Sequence, residues 1–162
     1  MATAAPPDVE LTPIDGEPRP LRAWLTTFHL VLVAVDPFTN ESAWLIDTAG
    51  RILRTFTGAD CRVAWLVTGT SEEARLFLGT WADELLTFAD PEREAVKALE
   101  VERLPAFVHI DHDLTLVGRA EGWDPEEWRG AAQELATIMS WRAPRIPDVG
   151  DPGRFEGTPA LG

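Results

Sequence analysis

One cysteine, Cys61, stands in a chain of 162 residues. An internal disulfide, a dithiol pair and a cysteine-rich zinc site are therefore excluded. Lysine is almost missing too. Lys97 is the single lysine among 14 bases, and the other bases are arginine, a skew that reads as genomic composition. Those bases face 27 acids, for a formal net charge of −13. Nucleic acid and anionic membrane surfaces need positive charge, so neither is an expected partner. Long apolar runs are lacking: the longest, near Leu30–Val35, falls far short of the roughly 20 residues of a transmembrane helix. Met1–Glu10 has neither the basic nor the apolar region of a signal peptide. A lone thiol suits a reducing compartment, and a cytoplasmic location is the expectation.

What is present is the mix of a globular domain, with 45% apolar and 25% charged residues. The length suits one domain of ordinary size. Residues 1–20 hold five prolines and read as an N-terminal extension, in which Val9–Thr12 can add an edge strand and Asp15-Gly16 makes a turn. Residues 143–162 are rich in proline and glycine and read as a tail without regular structure, packed on the body or disordered. Between them, residues 21–142 alternate strand and helix. Leu30–Val35 reads as a strand buried on both faces. Leu45, Ile46, Ala49, Ile52, Leu53 and Phe56 recur at helical spacing over 40–57. A second buried strand covers Arg62–Thr68. Thr70-x-x-Glu73 is a capping-box pattern, and Ala74, Phe77, Leu78, Trp81, Leu85 and Leu86 continue as one helical face. Asp90-Pro91 predicts a short helix to about Glu100. Strands over Ala106–Ile110 and Thr115–Arg119 are close enough for a hairpin. Asp124-Pro125, with Glu127 at the capping-box position, opens a last helix. Its buried face is Trp128, Ala131, Ala132, Leu135, Ile138 and Met139. The first two strands are joined by a helical crossover and must run parallel.

Other residues with chemical potential read as structural. His109, Asp111, His112 and Asp113 lie within five positions, but alternation along a strand makes His109 and His112 diverge. Asx-type turn bonding by Asp111 and Asp113 is the expectation, with no metal site. His29 has no acidic neighbour in sequence and reads as a core or edge histidine. Ser42 lacks the Gly-x-Ser-x-Gly elbow of a hydrolase. Thr39, Asn40 and Ser42 read as helix caps, and Glu41 as a partner of the helix dipole. Of seven tryptophans, Trp65, Trp81 and Trp128 are expected to fill the core. Trp44 is a candidate groove residue, and Trp123 a candidate exposed interface anchor.

This element order, with Leu104-Pro105 before the third strand, resembles the thioredoxin-like superfamily. The run Asp90-Pro91-Glu92-Arg93 to Leu104-Pro105-Ala106-Phe107-Val108-His109-Ile110-Asp111, together with the Asp15-Gly16 segment, resembles its peroxiredoxin and TlpA-like branch. The resemblance covers about residues 9–141. It implies an α/β fold, a mixed sheet of about four to five strands covered by helices. It also implies a Cys-x-x-Cys motif after the first strand, where a helix N-terminus lowers a thiol pKa. Asn40-Glu41-Ser42-Ala43 stands at that place, so both cysteines are absent. The acidic residue many thioredoxins carry in the first strand falls at Ala34, and the peroxiredoxin pattern beginning at Pro37 reaches no cysteine. Cys61 opens the second strand, at the edge opposite the carboxyl ends where chemistry gathers in parallel sheets. The resemblance further implies that Pro105 is cis and that its strand edge accepts extended peptide.

The expectation is a redox-inactive thioredoxin-like domain that binds a protein partner, neutral or basic, through the vestigial groove. That groove comprises Asp36, Thr39, Asn40, Glu41, Ser42, Ala43, Trp44, Leu104 and Pro105, and no cofactor is expected. The C-terminal tail is placed to modulate access to it. One alternative is a thiol-dependent oxidoreductase or peroxidase working through Cys61; another is a groove filled by the chain's own side chains or tail, with function elsewhere.

Overall fold

Hydrophobic strands flanked by amphipathic helices leave few ways to bury both faces of a sheet, and this chain takes the layered one. The structure, a computed structural model, describes residues 3–162. Of the N-terminal extension, residues 1 and 2 lie outside that range. In chain order the elements are β1 (Thr3–Ala4), β2 (Glu10–Pro13), β3 (Arg19–Pro20), α1 (Leu21–Trp24), β4 (His29–Val35), α2 (Asn40–Thr55) and β5 (Cys61–Val67). Then come α3 (Ser71–Leu78), α4 (Trp81–Glu84), β6 (Leu86–Ala89), α5 (Glu94–Ala98) and β7 (Arg103–Leu104). The chain closes with β8 (Ala106–Ile110), β9 (Thr115–Glu121), α6 (Pro125–Met139) and β10 (Thr158–Pro159).

The main sheet has the order β1-β9-β8-β4-β5-β6-β2-β3. Strands β4, β5 and β6 are parallel, as the helical crossovers require, and β8 and β9 form the expected antiparallel hairpin. The sheet is wider than the four or five strands expected. The edge strand expected at Val9–Thr12 forms as β2, and the additions are β6 and the short pieces β1 and β3. Successive residues of β4 point to opposite faces, so its continuous apolar run feeds two cores. Val31, Val33 and Val35 pack with Leu45, Ile52, Phe56, Trp65 and Trp128. Leu30, Leu32 and Ala34 pack with Leu66, Phe88, Val96 and Leu99.

Several local expectations are corrected. The helical face expected from Ala74 through Leu86 breaks at Gly79, whose φ of 59° ends α3. Leu86–Ala89 instead becomes β6, paired with β5 and β2, because sheet pairing overrides a helical spacing only partly kept. The helix at Asp90-Pro91 begins later, at Glu94. Asp90 still caps it, accepting hydrogen bonds from the Ala95 and Val96 N–H groups. Asp124 caps α6 with Pro125 in its first turn, but Glu127 is no capping-box partner: its carboxylate accepts from the Glu121 N–H. Ile138 is exposed, and Trp123 is fully buried. The capping box Thr70/Glu73 forms as expected.

Candidate functional site

Antiparallel pairing sets Ala34 of β4 opposite Ala106 of β8. The turn leaving β4 and the segment entering β8 therefore meet at one sheet edge. The first supplies Asp36 and the start of α2; the second supplies Leu104 and Pro105, joined by a cis peptide bond as the family resemblance implies.

At the α2 start Thr39 is the cap, and of the other residues expected to cap, Asn40 is exposed and Ser42 serves the preceding turn. Thr39 Oγ1 accepts the Ser42 N–H at 3.4 Å, and Ser42 Oγ accepts the Asp36 N–H at 2.9 Å. Ser42 is fully buried, so its hydroxyl serves the backbone and does not face a ligand. Asp36 is buried as well. Its carboxylate accepts from the Phe38 N–H at 2.9 Å and from Arg93 Nη2 at 3.0 Å. Glu41 sits half-buried in the first helical turn, and Asn40, Ala43 and Trp44 are exposed. Trp44 is 59% exposed and Phe38 63%, two large aromatic faces left at the surface.

The groove is occupied, and its occupant is the chain's own C-terminal segment. Asp151 holds it against α2: its carboxylate accepts from Thr48 Oγ1 and from Arg51 Nη2, both at 2.8 Å. Trp123 Nε1 donates to the Pro152 carbonyl at 2.8 Å, which explains why Trp123 is buried and not an exposed anchor. Phe155 forms an antiparallel bridge with Trp123 and meets the Trp44 ring edge-on, centroids 5.6 Å apart. Thr158 then pairs with Leu104, and Pro159 with Arg103, as β10 on β7. The Glu156 and Gly157 carbonyls accept from Arg103 at 3.0 and 2.7 Å, and the Ala160 carbonyl accepts from Arg93 Nη1 at 2.7 Å. Arg93 thus bridges the tail to Asp36.

Close approach here depends on two glycines. A Cβ on Gly157 would stand 2.5 Å from the Leu104 carbonyl oxygen, and one on Gly122 would stand 2.3 Å from that of Glu156. Both have positive φ, 86° and 67°, which glycine adopts without strain. Sequence reasoning missed Arg93, Arg103, Gly122, Phe155 and Gly157. Nothing local marks them, since the tail's prolines and glycines carry no register.

Cys61 is remote from this groove. It pairs with His29 at the opening of β4, whereas the groove lies beyond Val35. Six residues of strand separate the two, about 20 Å at the usual rise. Its Sγ lies 3.7 Å from the Phe56 carbonyl oxygen, at the C-terminal end of α2. Burial, and secondarily the charge of Asp60, push its pKa up to about 11. A helix C-terminus and a neighbouring carboxylate both oppose a thiolate.

His109 and His112, read from sequence as diverging, come together at this end with His29. His29 Nδ1 and His109 Nε2 are 2.8 Å apart, and the His29 and His112 ring centroids are 4.8 Å apart. His112 Nδ1 donates to the Leu25 carbonyl. Burial first, then neighbouring His29, lower the His109 pKa to about 4; burial and His112 lower that of His29. Asp111 makes the expected Asx turn, accepting from the Asp113 and Thr115 N–H groups. Among the described residues no group of three or more potential ligands is arranged to hold a metal ion. Nor, among them, is any helix long and apolar enough to cross a membrane.

No family model matches the chain. No curated protein matches it either. Solved structures do. A hypothetical protein from Sinorhizobium meliloti 1021 superposes with a TM-score of 0.70 at 14% identity, covering 99% of this chain and 93% of that one. A DsbE-type thiol:disulfide interchange protein from Chlorobium tepidum gives 0.69 at 15% identity, over 85% of this chain and 96% of its own. Bacterioferritin comigratory protein from Xanthomonas campestris, which has alkyl peroxide reduction activity, gives 0.66 at 15% identity, over 86% of this chain and 98% of its own. The chain has the thioredoxin-like fold, of the kind found in DsbE-type and peroxiredoxin Q structures, with a single cysteine placed away from the groove at Leu104-Pro105.

Proposed function

We propose that this protein is a redox-inactive thioredoxin-like binding module that takes an extended protein segment at the edge formed by Leu104. The observation that carries this reading is the β10–β7 pairing, in which that edge hydrogen-bonds an extended strand. Backbone pairing of this kind gives affinity without chemistry, and side-chain pockets along the strand give selectivity. The α2 start supports the reading: Asn40-Glu41-Ser42-Ala43 offers no thiol where a thiolate nucleophile would be needed, and its one hydroxyl, on Ser42, is buried against the Asp36 N–H. The charge of −13 favours a neutral or basic partner. The lone thiol suits a reducing, cytoplasmic setting.

The competing reading is a thiol-dependent enzyme working through Cys61. A thiol-disulfide reductase and peroxide reductase assay on wild type and Cys61→Ser separates them. We expect no turnover above background from either protein. Wild-type turnover that disappears in Cys61→Ser would overturn the binding-module reading.

A further inference from the structure

We infer that Arg154–Ala160 is an intramolecular ligand of the Leu104 edge, and that the partner segment it excludes carries an aromatic residue followed two positions later by glycine. The inference rests on the binding-module reading and adds both a regulator and a ligand chemistry to it.

The contacts of this segment are those of a bound peptide more than of a packed core element. Of its side chains only Ala160 is fully buried. Most of its fixed bonds use main-chain atoms. The Phe155 N–H and carbonyl pair with Trp123, the Ala160 N–H donates to the Glu102 carbonyl, and Arg103 and Arg93 donate to the carbonyls of residues 156, 157 and 160. Any extended peptide can supply such groups, so this part of recognition is tolerant of sequence.

Two positions are not tolerant. Phe155 sits edge-on to Trp44, a geometry that favours an aromatic side chain. Gly157 lies so close to the Leu104 carbonyl that a Cβ there would stand 2.5 Å from its oxygen. Trp44 stays largely exposed beside the seated tail, leaving apolar surface for a ligand that covers more of its ring than Phe155 does. A segment with the aromatic and the glycine at this spacing reproduces every selective contact and gains that surface. It then competes with the tail for one edge, and the tail sets the threshold for binding.

The test uses the full chain and a labelled peptide with the sequence of residues 152–160. Gly157→Val blocks seating of the chain's own tail, and Gly153→Val, whose Cβ meets nothing within 4 Å, is the control. Amide exchange at Phe155 and Ala160 should accelerate in Gly157→Val and stay slow in the control. The peptide should bind Gly157→Val at least tenfold more tightly than wild type or control. Peptides with alanine for Phe155 or valine for Gly157 should lose most of that binding. Phe155→Ala in the chain, which removes the ring's contacts with Trp44 and the core and keeps the main-chain bonds, should give an intermediate gain and guards against misfolding of the glycine variant. Protected Phe155 and Ala160 amides in a folded Gly157→Val would overturn the inference, as would a freed edge that fails to bind the peptide. Turnover through Cys61 in the reductase assay would instead sink the binding-module reading, whatever the tail does.

Discussion

At Cys61 the local field and the burial act in the same direction. The Phe56 carbonyl and Asp60 both disfavour negative charge, and the pKa of about 11 leaves about one thiol in a thousand ionised at pH 8. Reaction with a disulfide reagent at pH 8 should therefore be far slower than for a free thiol of pKa ~8.5. It should rise about tenfold per pH unit until near pH 11; fast labelling at pH 7 would contradict this. His109 gives a second prediction. Its folded pKa of about 4 lies below the unfolded value of 6.5, so the unfolded chain binds the extra proton in that window. The contribution is complete above pH 6.5 and is lost as pH falls toward 4, by up to about 3 kcal/mol. Denaturation midpoints at pH 7 and pH 5 should diverge less in His109→Leu than in wild type. Asp90, raised by burial, acts with the opposite sign, but it is common to both proteins and cancels in the comparison.

Helix ends were the most legible elements, because a cap is a local interaction. Thr39, Thr70 and Asp124 all cap where the sequence places them. Thr70→Ala removes the Oγ1 that accepts the Glu73 N–H and leaves the main-chain N–H of residue 70 donating to Glu73 Oε1, so it should cost about 1 kcal/mol in chemical denaturation. Helix α2 carries a less obvious constraint. Alanine in place of a mid-helix glycine normally stabilises by about 1 kcal/mol. At Gly50 the Trp81 ring would lie 2.4 Å from the new Cβ, and that ring is held by Asp47 and by the Arg54 guanidinium stacked on it. Overpacking should dominate, and Gly50→Ala should destabilise by about 1–2 kcal/mol. An unchanged or raised midpoint would show that the ring moves aside freely. Element β6 was missed because Leu85 and Leu86 fit a helical face on spacing alone. Only the open edge of β5 makes a strand the better use of Leu86–Ala89.

Across the whole molecule the C-terminal segment spans α2, α6 and the β7 edge. Asp151 is its main anchor: the carboxylate is almost fully buried and holds Thr48, Arg51 and the Asp148 N–H. Asp151→Ala leaves those donors without their partner. Trypsin should then cut after Arg154 severalfold faster than in wild type, while the core, to which the segment contributes few buried side chains (Ile146 and Ala160), keeps its thermal midpoint within a few degrees. Equal cleavage rates would mean that the β10–β7 pairing alone fixes the tail.

The sequence by itself determined the alternation of strands and helices, the caps, the buried strand β4 and the missing thiol motif. All of these rest on periodicity, local side-chain bonding or residue identity, which need no distant partner. Tertiary structure alone decided that the three histidines converge and which main-chain groups the Pro/Gly tail pairs with in the groove. Those outcomes depend on register between segments far apart in the chain. Gly122 against Glu156 and Gly157 against Leu104 are the clearest cases. A glycine's permission for close approach is visible in the sequence, but the backbone that approaches it is not.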